Sequence, residues 1–367
     1  MKFAALADMA AGVTAGVADE ILLHGPSELI MPPPVAVGSD EEAHELQVFW
    51  AFESARRCSF APVRLLCLED VYLAPEGLVF LPSGECLIET IYPWERSNVD
   101  TRFPRLASSS DWLDAERSAA PEVAEAVHLR EPGEAGYFHW INSVLPRIAV
   151  LQRFYRLRQL PLAVDLGKPF AVQSAGMLGL SSSQVLDGGK GYRCKKLWVF
   201  TPAVIQGDHF TRPVFWTSEI RRTFLGRDLS NAGRKLYLSR ADASVRAVVN
   251  EAELIALVRQ YGFQPVTIGS MPFADQVGLF GSCDMLLSAH GAGLSNAIFM
   301  RTGRVVEILP RTRPWPTFRA LAARAGLSYG AFISSIGRGS GAAVAEGNEG
   351  IDIDLKRFER FLRVLVT

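Results

Sequence analysis

Three short stretches in the second half of the chain carry residue types suited to holding a phosphate ester: Ser239-Arg240, His290-Gly291-Ala292-Gly293, and Glu307 late in an apolar run. An arginine makes charge-assisted hydrogen bonds to phosphate oxygens. Glycines at 291 and 293 lack the Cβ atoms that keep a ligand off the backbone, so amides at a helix start can face an anion in the field of the helix dipole. Glu307 is an acceptor suited to ribose hydroxyls. Taken singly, each has a plainer reading: turn glycines, a solvated arginine, a buried histidine, a carboxylate at a strand end. In the first half, His139 lies in the aromatic run Tyr137-Phe138-His139-Trp140. An imidazole with an ordinary pKa of about 6.5 suits a general base near neutral pH. It reads equally as an anchor onto Tyr137 and Trp140, and His128 is a weaker alternative base.

The elements that must position these residues follow from periodicity. Leu236 to Ser239, Gln264 to Ile268, Met285 to Ser288 and Val305 to Leu309 read as strands. Helices are predicted from Glu251 to Gly262, around Phe273 to Phe280, and from Leu294 to Met300, with Asn250 and Glu253 in a capping-box pattern. Strands alternating with helices imply a parallel sheet, and right-handed crossovers bring the loops after the strands to one edge, where ligands bind. Arg240, His290 to Gly293 and Arg311 are thereby expected at one crevice. In the first half, turn signals at Pro75-Glu76-Gly77 and Pro82-Ser83-Gly84 predict a meander across 71–92, and Lys195 to Phe200 reads as a strand.

The 367 residues suffice for two domains, and 38 Lys+Arg against 39 Asp+Glu leave a net charge of −1. Such a balance offers no bulk field for a nucleic-acid backbone, so an anion must be held locally. Hydrophobic residues make up 49% and charged residues 21%, which excludes general disorder. Cys58, Cys67, Cys86, Cys194 and Cys283 lack zinc-site or disulfide-framework spacing and read as buried thiols of a reducing compartment. No run is long and apolar enough to span a membrane, and peripheral contact stays open. Asp352-Ile353-Asp354 matches a metal-binding Asp-x-Asp, but the apolar run from Leu355 to Leu365 makes a helix cap its better reading, so no metal site is assigned.

These same blocks resemble glycosyltransferase family 61. A strand ending in Ser-Arg, then an Arg and Asn-Glu, corresponds to Tyr237-Leu238-Ser239-Arg240, Arg246 and Asn250-Glu251. His-Gly-Ala-x-x-x-Asn, a Phe and a Val-Glu strand correspond to His290 through Asn296, Phe299 and Val306-Glu307, while His139-Trp140 and Leu145-Pro146-Arg147 match the N-terminal signature. The resemblance covers about residues 65 to 312. It implies a GT-B-like α/β fold, two Rossmann-like domains facing across a cleft, the C-terminal one with a parallel sheet. The boundaries expected are 1–205 for an acceptor-side domain, 206–345 for a donor domain, and 346–367 for a C-terminal helix returning to the first domain. It also implies an inverting, metal-independent transfer from a nucleoside-diphosphate sugar, with no resident cofactor, to a glycan or other hydroxyl acceptor in surface polysaccharide synthesis. His139 is then the catalytic base, and Arg240, Arg246, Asn250, His290, Gly291, Ala292, Gly293, Asn296 and Glu307 bind the donor. The expected location is cytoplasmic or peripheral to the inner face of the membrane. One departure stands out: many relatives carry an acid three residues after the histidine, where this chain has Asn142. A catalytically silent nucleotide- or glycan-binding protein is the alternative.

Overall fold

The runs Leu236-Tyr237-Leu238, Leu286-Leu287 and Val305-Val306 lack the alternation of a half-exposed strand, and each lies in a strand covered on both faces. A computed structural model of the chain describes residues 3–6, 9, 16–50, 56–91, 111–131, 133–201, 212–226, 233–243, 245–312, 314–336 and 350–366. The fold is mixed α/β, in two units: Met1–Ser27 with Phe60–Ile205, and Glu28–Ser59 with Gln206–Thr367. The 205/206 and 345/346 boundaries lie outside the described residues.

The second unit's sheet holds β1 (Ala36–Val37), β2 (Arg234–Leu238), β3 (Phe263–Val266), β4 (Cys283–Ala289), β5 (Arg304–Leu309) and β6 (Ser328–Ile333). All neighbours are parallel, in the order β3-β2-β4-β5-β6-β1. From β2 the chain steps out to β3, then returns past β2 to β4, so the strand order reverses between β2 and β4. Ligands of open parallel sheets bind beyond the strand ends at such a reversal. Leu238 lies opposite Ser288, which makes Ser239-Arg240 and His290 to Gly293 emerge side by side there.

Helices α1 (Asp40–Phe49), α2 (Glu251–Gln260), α3 (Phe273–Gly281) and α4 (Leu355–Val366) belong to this unit. Helix α2 begins where the sequence predicts and stops before Gly262, whose φ of +82° is the left-handed conformation that glycine tolerates. Its start is not a capping box: Asn250 makes no side-chain cap. The predicted helix after the glycines is a three-ten helix, Ala292–Phe299. That winding rises about 2.0 Å per residue against about 1.5 Å for α, so eight residues carry the chain further back across the sheet.

Residues 28–59, grouped with the first domain on sequence, lie in the second unit. Ser39 caps α1 through Glu42 N (3.2 Å), and the buried Glu42 accepts from Ile333 N at 2.8 Å and pairs with Arg357 at 2.7 Å. Helix α4 lies in the second unit as well. Phe358, Phe361, Leu362 and Leu365 pack with Tyr237, Val306 and Phe332 of the second unit's own sheet, which would otherwise leave that apolar face in water. Asp354 accepts from Arg357 N at 3.0 Å, the capping role expected of it.

In the first unit, Tyr192–Phe200 pairs antiparallel with Val63–Leu73 and parallel with Glu122–His128. Val79–Phe80 and Cys86–Leu87 continue antiparallel from Val63–Leu73, forming the predicted meander as far as the described residues reach. The sheet here is mixed in direction, parallel where Tyr192–Phe200 meets Glu122–His128 and antiparallel through the meander. Tight turns through Gly77 (φ +90°) and Gly84 (φ +82°) reverse the chain directly, and strands joined that way cannot be parallel.

Candidate active site

At the reversal point, the Arg240 guanidinium lies directly on Gly291: a Cβ built there would stand 1.6 Å from Arg240 Nη1. Gly291 has extended backbone (φ 175°), so close approach, not conformation, demands glycine. Arg240 Nε donates to Arg246 O (3.2 Å), and Nη2 donates to Val245 O (2.6 Å). Its backbone amide donates to Glu251 Oε1 (3.1 Å). Burial, then the neighbouring Arg246, hold the Arg240 guanidinium down at about 10. Arg246 adopts φ +55°, an uncommon choice for a residue with a Cβ, and its Nε donates to His290 O at 3.2 Å. Two guanidiniums are therefore tied to one loop in a partly desolvated corner, an arrangement that an anion relieves. Ala292 is exposed and Gly293 partly so. The Leu294 amide is taken by Gly291 O (3.0 Å), while the first N–H groups of a helix have no intrahelical acceptor.

Three of the predicted donor residues do other work. Glu307 is fully buried, with Oε1 2.5 Å from His290 Nδ1 and Oε2 accepting from Tyr329 OH at 2.5 Å. Both oxygens are engaged, so it does not present a ribose acceptor. Asn250 donates to Ile353 O (2.8 Å) and accepts from Ile353 N (3.2 Å), fastening the segment before α4. Asn296, also fully buried, donates to Gly293 O (3.1 Å) and Gln276 Oε1 (3.3 Å), which pins the glycine loop from below. Arg311, expected at the same crevice, pairs instead with Glu45 of α1 at 2.5 Å. Sequence reasoning missed Tyr329 and Gln276. Neither sits in a local pattern, since each meets its partner only through sheet order or helix packing.

His139 ends a short helical turn, Tyr137–His139, that runs into a five-residue π-helix, Trp140–Val144. Single π turns within helices recur at functional sites. The ring packs on Gly133, where a Cβ would stand 3.1 Å from His139 Cδ2. Trp140 Nε1 donates to Ser174 Oγ (2.8 Å), and the buried Asn142 donates to Phe138 O at 2.9 Å. Asn142 thus serves the helix. Glu134, three residues before this turn's start, pairs with Arg130, yet burial pushes its carboxyl up to about 7. His128 is buried, bonded to Gly77 O at 2.9 Å, and lowered by burial to about 4. It is a neutral structural donor, which removes it as an alternative base.

Among the described residues, no cluster of three or more His, Cys, Asp or Glu is arranged to hold a metal, and no helix is long and apolar enough to cross a membrane. None of the five cysteines forms a disulfide, and all are buried.

Residues 137–306 match the family model Glycosyltransferase 61. A stretch of 92 residues is 36% identical to protein O-linked-mannose beta-1,4-N-acetylglucosaminyltransferase 2 of Tetraodon nigroviridis, covering 23% of this chain and 16% of that protein. The Canis lupus familiaris protein of the same name is 42% identical over 69 residues, 18% of this chain and 12% of its own length. EGF domain-specific O-linked N-acetylglucosamine transferase of Drosophila melanogaster is 31% identical over 99 residues, 26% of this chain and 19% of that protein. The matches thus span less than a fifth of each of these relatives. The matched stretch holds both His139 and the edge from Arg240 to His290.

Proposed function

We propose that the chain is an inverting glycosyltransferase of GT-B type that moves a sugar from a nucleoside-diphosphate donor to a hydroxyl of a glycan or other acceptor. The observation that carries this reading is the Arg240 guanidinium seated on Gly291 where the strand order reverses. As the glycosidic bond breaks, charge accumulates on the diphosphate. Arg240, Arg246 and the amides at residues 292 and 293 stabilise it there without reorganising. Because fixed cations and amides meet that charge, a divalent metal is not required. The acceptor hydroxyl attacks the opposite face of the anomeric carbon, and His139 takes its proton. Asn142, an amide bonded to Phe138 O, cannot share that task. The family match and the names of the relatives make N-acetylglucosamine the first donor sugar to test. We place the reaction in surface polysaccharide assembly, in the cytoplasm or at the inner membrane face, where five cysteines without a disulfide fit a reducing compartment.

The test is turnover by purified protein with UDP-, GDP- and TDP-sugars, with a CMP-sugar as monophosphate comparison. Release of nucleoside diphosphate is expected, abolished in His139→Ala with donor binding intact, and unaffected by chelator. Loss of all activity in chelator, restored by manganese, contradicts the metal-free step. A second reading, a silent nucleotide- or glycan-binding protein, is favoured by the amide at Asn142. It prevails if the wild type binds a donor, turns over none of them, and His139→Ala changes nothing.

A further inference from the structure

Glu307 is an ionisable residue inside a parallel strand, flanked by Val306 and Ile308, all of them fully buried. An apolar side chain would pack there at least as well, and a buried carboxylate is tolerated only when its oxygens are satisfied. Its partners are Tyr329 OH and His290 Nδ1. We propose that Glu307 and Tyr329 are positioning residues that hold His290 with Nε2 presented to the diphosphate beside Arg240. This inference rests on the donor-site reading above and extends it to the group that steers the histidine.

The argument runs from the strand interior outward. Burial keeps the Tyr329 phenol protonated well above its ordinary range, so it donates to Oε2 and leaves Oε1 as the acceptor for His290 Nδ1–H. Donation from Nδ1 fixes the ring's tautomer and leaves Nε2 as the atom available to a ligand. The ring also meets Phe318 edge-on, 5.3 Å between centroids at 63°, which opposes rotation about the side chain. Its backbone carbonyl is bound by Arg246, and the next residue is the glycine under Arg240. Nε2 makes no hydrogen bond to the described residues, and the side chain keeps 14% of its surface exposed.

Calorimetric titration with UDP tests this, using GDP and TDP if UDP does not bind. His290→Ala and Glu307→Gln are each expected to weaken binding about tenfold, and Tyr329→Phe by a smaller factor. The double variant His290→Ala/Glu307→Gln is expected to bind no more weakly than His290→Ala alone. In ¹⁵N spectra of the wild type and Tyr329→Phe, which lacks a single hydroxyl, the His290 ring nitrogens are expected to shift toward the other tautomer. Further weakening in the double variant, or unchanged His290 nitrogens in both Tyr329→Phe and Glu307→Gln, overturns the proposal. If Arg240→Ala loses binding while all His290, Glu307 and Tyr329 variants keep it, the positioning role fails and the donor site stands. If Arg240→Ala binds as the wild type does, or no nucleotide binds the wild type, the donor-site reading itself fails.

Discussion

The contact between Arg240 and Gly291 makes two nearby glycines separable. In Gly291→Ala the new methyl must displace the guanidinium itself, whose bonds to Val245 O and Arg246 O then break. Because a flexible side-chain tip can move, stability should fall by only about 1 kcal/mol, while nucleoside-diphosphate affinity drops tenfold or more. In Gly293→Ala the methyl meets Leu238 Cδ2 at 2.7 Å, an apolar tip and not the guanidinium, so affinity should fall less than in Gly291→Ala. Calorimetry and thermal unfolding on the pair check this, and equal loss of affinity in both would refute it. Glu134 gives a second prediction at this scale. Its carboxyl lies at about 7 in the fold against an ordinary 4.5, so between those values the folded chain keeps a proton that the unfolded chain releases. Stability therefore falls as pH rises through that window, by up to about 3 kcal/mol from this group. Urea unfolding at pH 5 and pH 8 should show that fall diminished in Glu134→Gln. A wild-type minus variant difference that does not change with pH contradicts it.

Helix α4 shows what apolar periodicity does and does not decide. Its apolar spacing from Leu355 to Leu365 was legible, but periodicity says which face is buried and not against what. The structure seats Phe358 on Phe332, with ring centroids 4.9 Å apart, inside the second unit's core. Phe358→Ala should cost about 3–5 kcal/mol, read by chemical denaturation, and lower donor binding through loss of the folded unit. A cost below about 1 kcal/mol would place the helix elsewhere. Strands β2, β4 and β5 were legible because both faces are covered and their runs are unbroken. Strand β6 was not, since Gly330 and Ala331 weaken its β signal, and β1 is two residues beside a triple proline. The three-ten winding of 292–299 leaves no local mark either, because its buried residues 294–299 fit either helix.

For the molecule as a whole, the sequence exposed the chemistry of the second unit better than its limits. Arg240, Arg246 and the glycine loop lie together as expected, because the segments that carry them leave neighbouring parallel strands at one edge. Glu307 was mistaken for a ligand contact because sequence shows a carboxylate near a strand end, not the Tyr329 that meets it from the next strand. The inclusion of residues 28–59 in this unit depends on long-range pairs such as Glu42 with Ile333 N and Arg357, which no local pattern announces. With a net charge of −1, the anion recognition we propose rests on a local device instead of a bulk field. Hydrogen–deuterium exchange of the full chain with and without a saturating nucleoside diphosphate tests that device most directly. The segments 239–246 and 290–294 should gain protection together, and both gains should vanish in Arg240→Ala. Protection confined to other segments, with the glycine loop exchanging as before, would contradict the account.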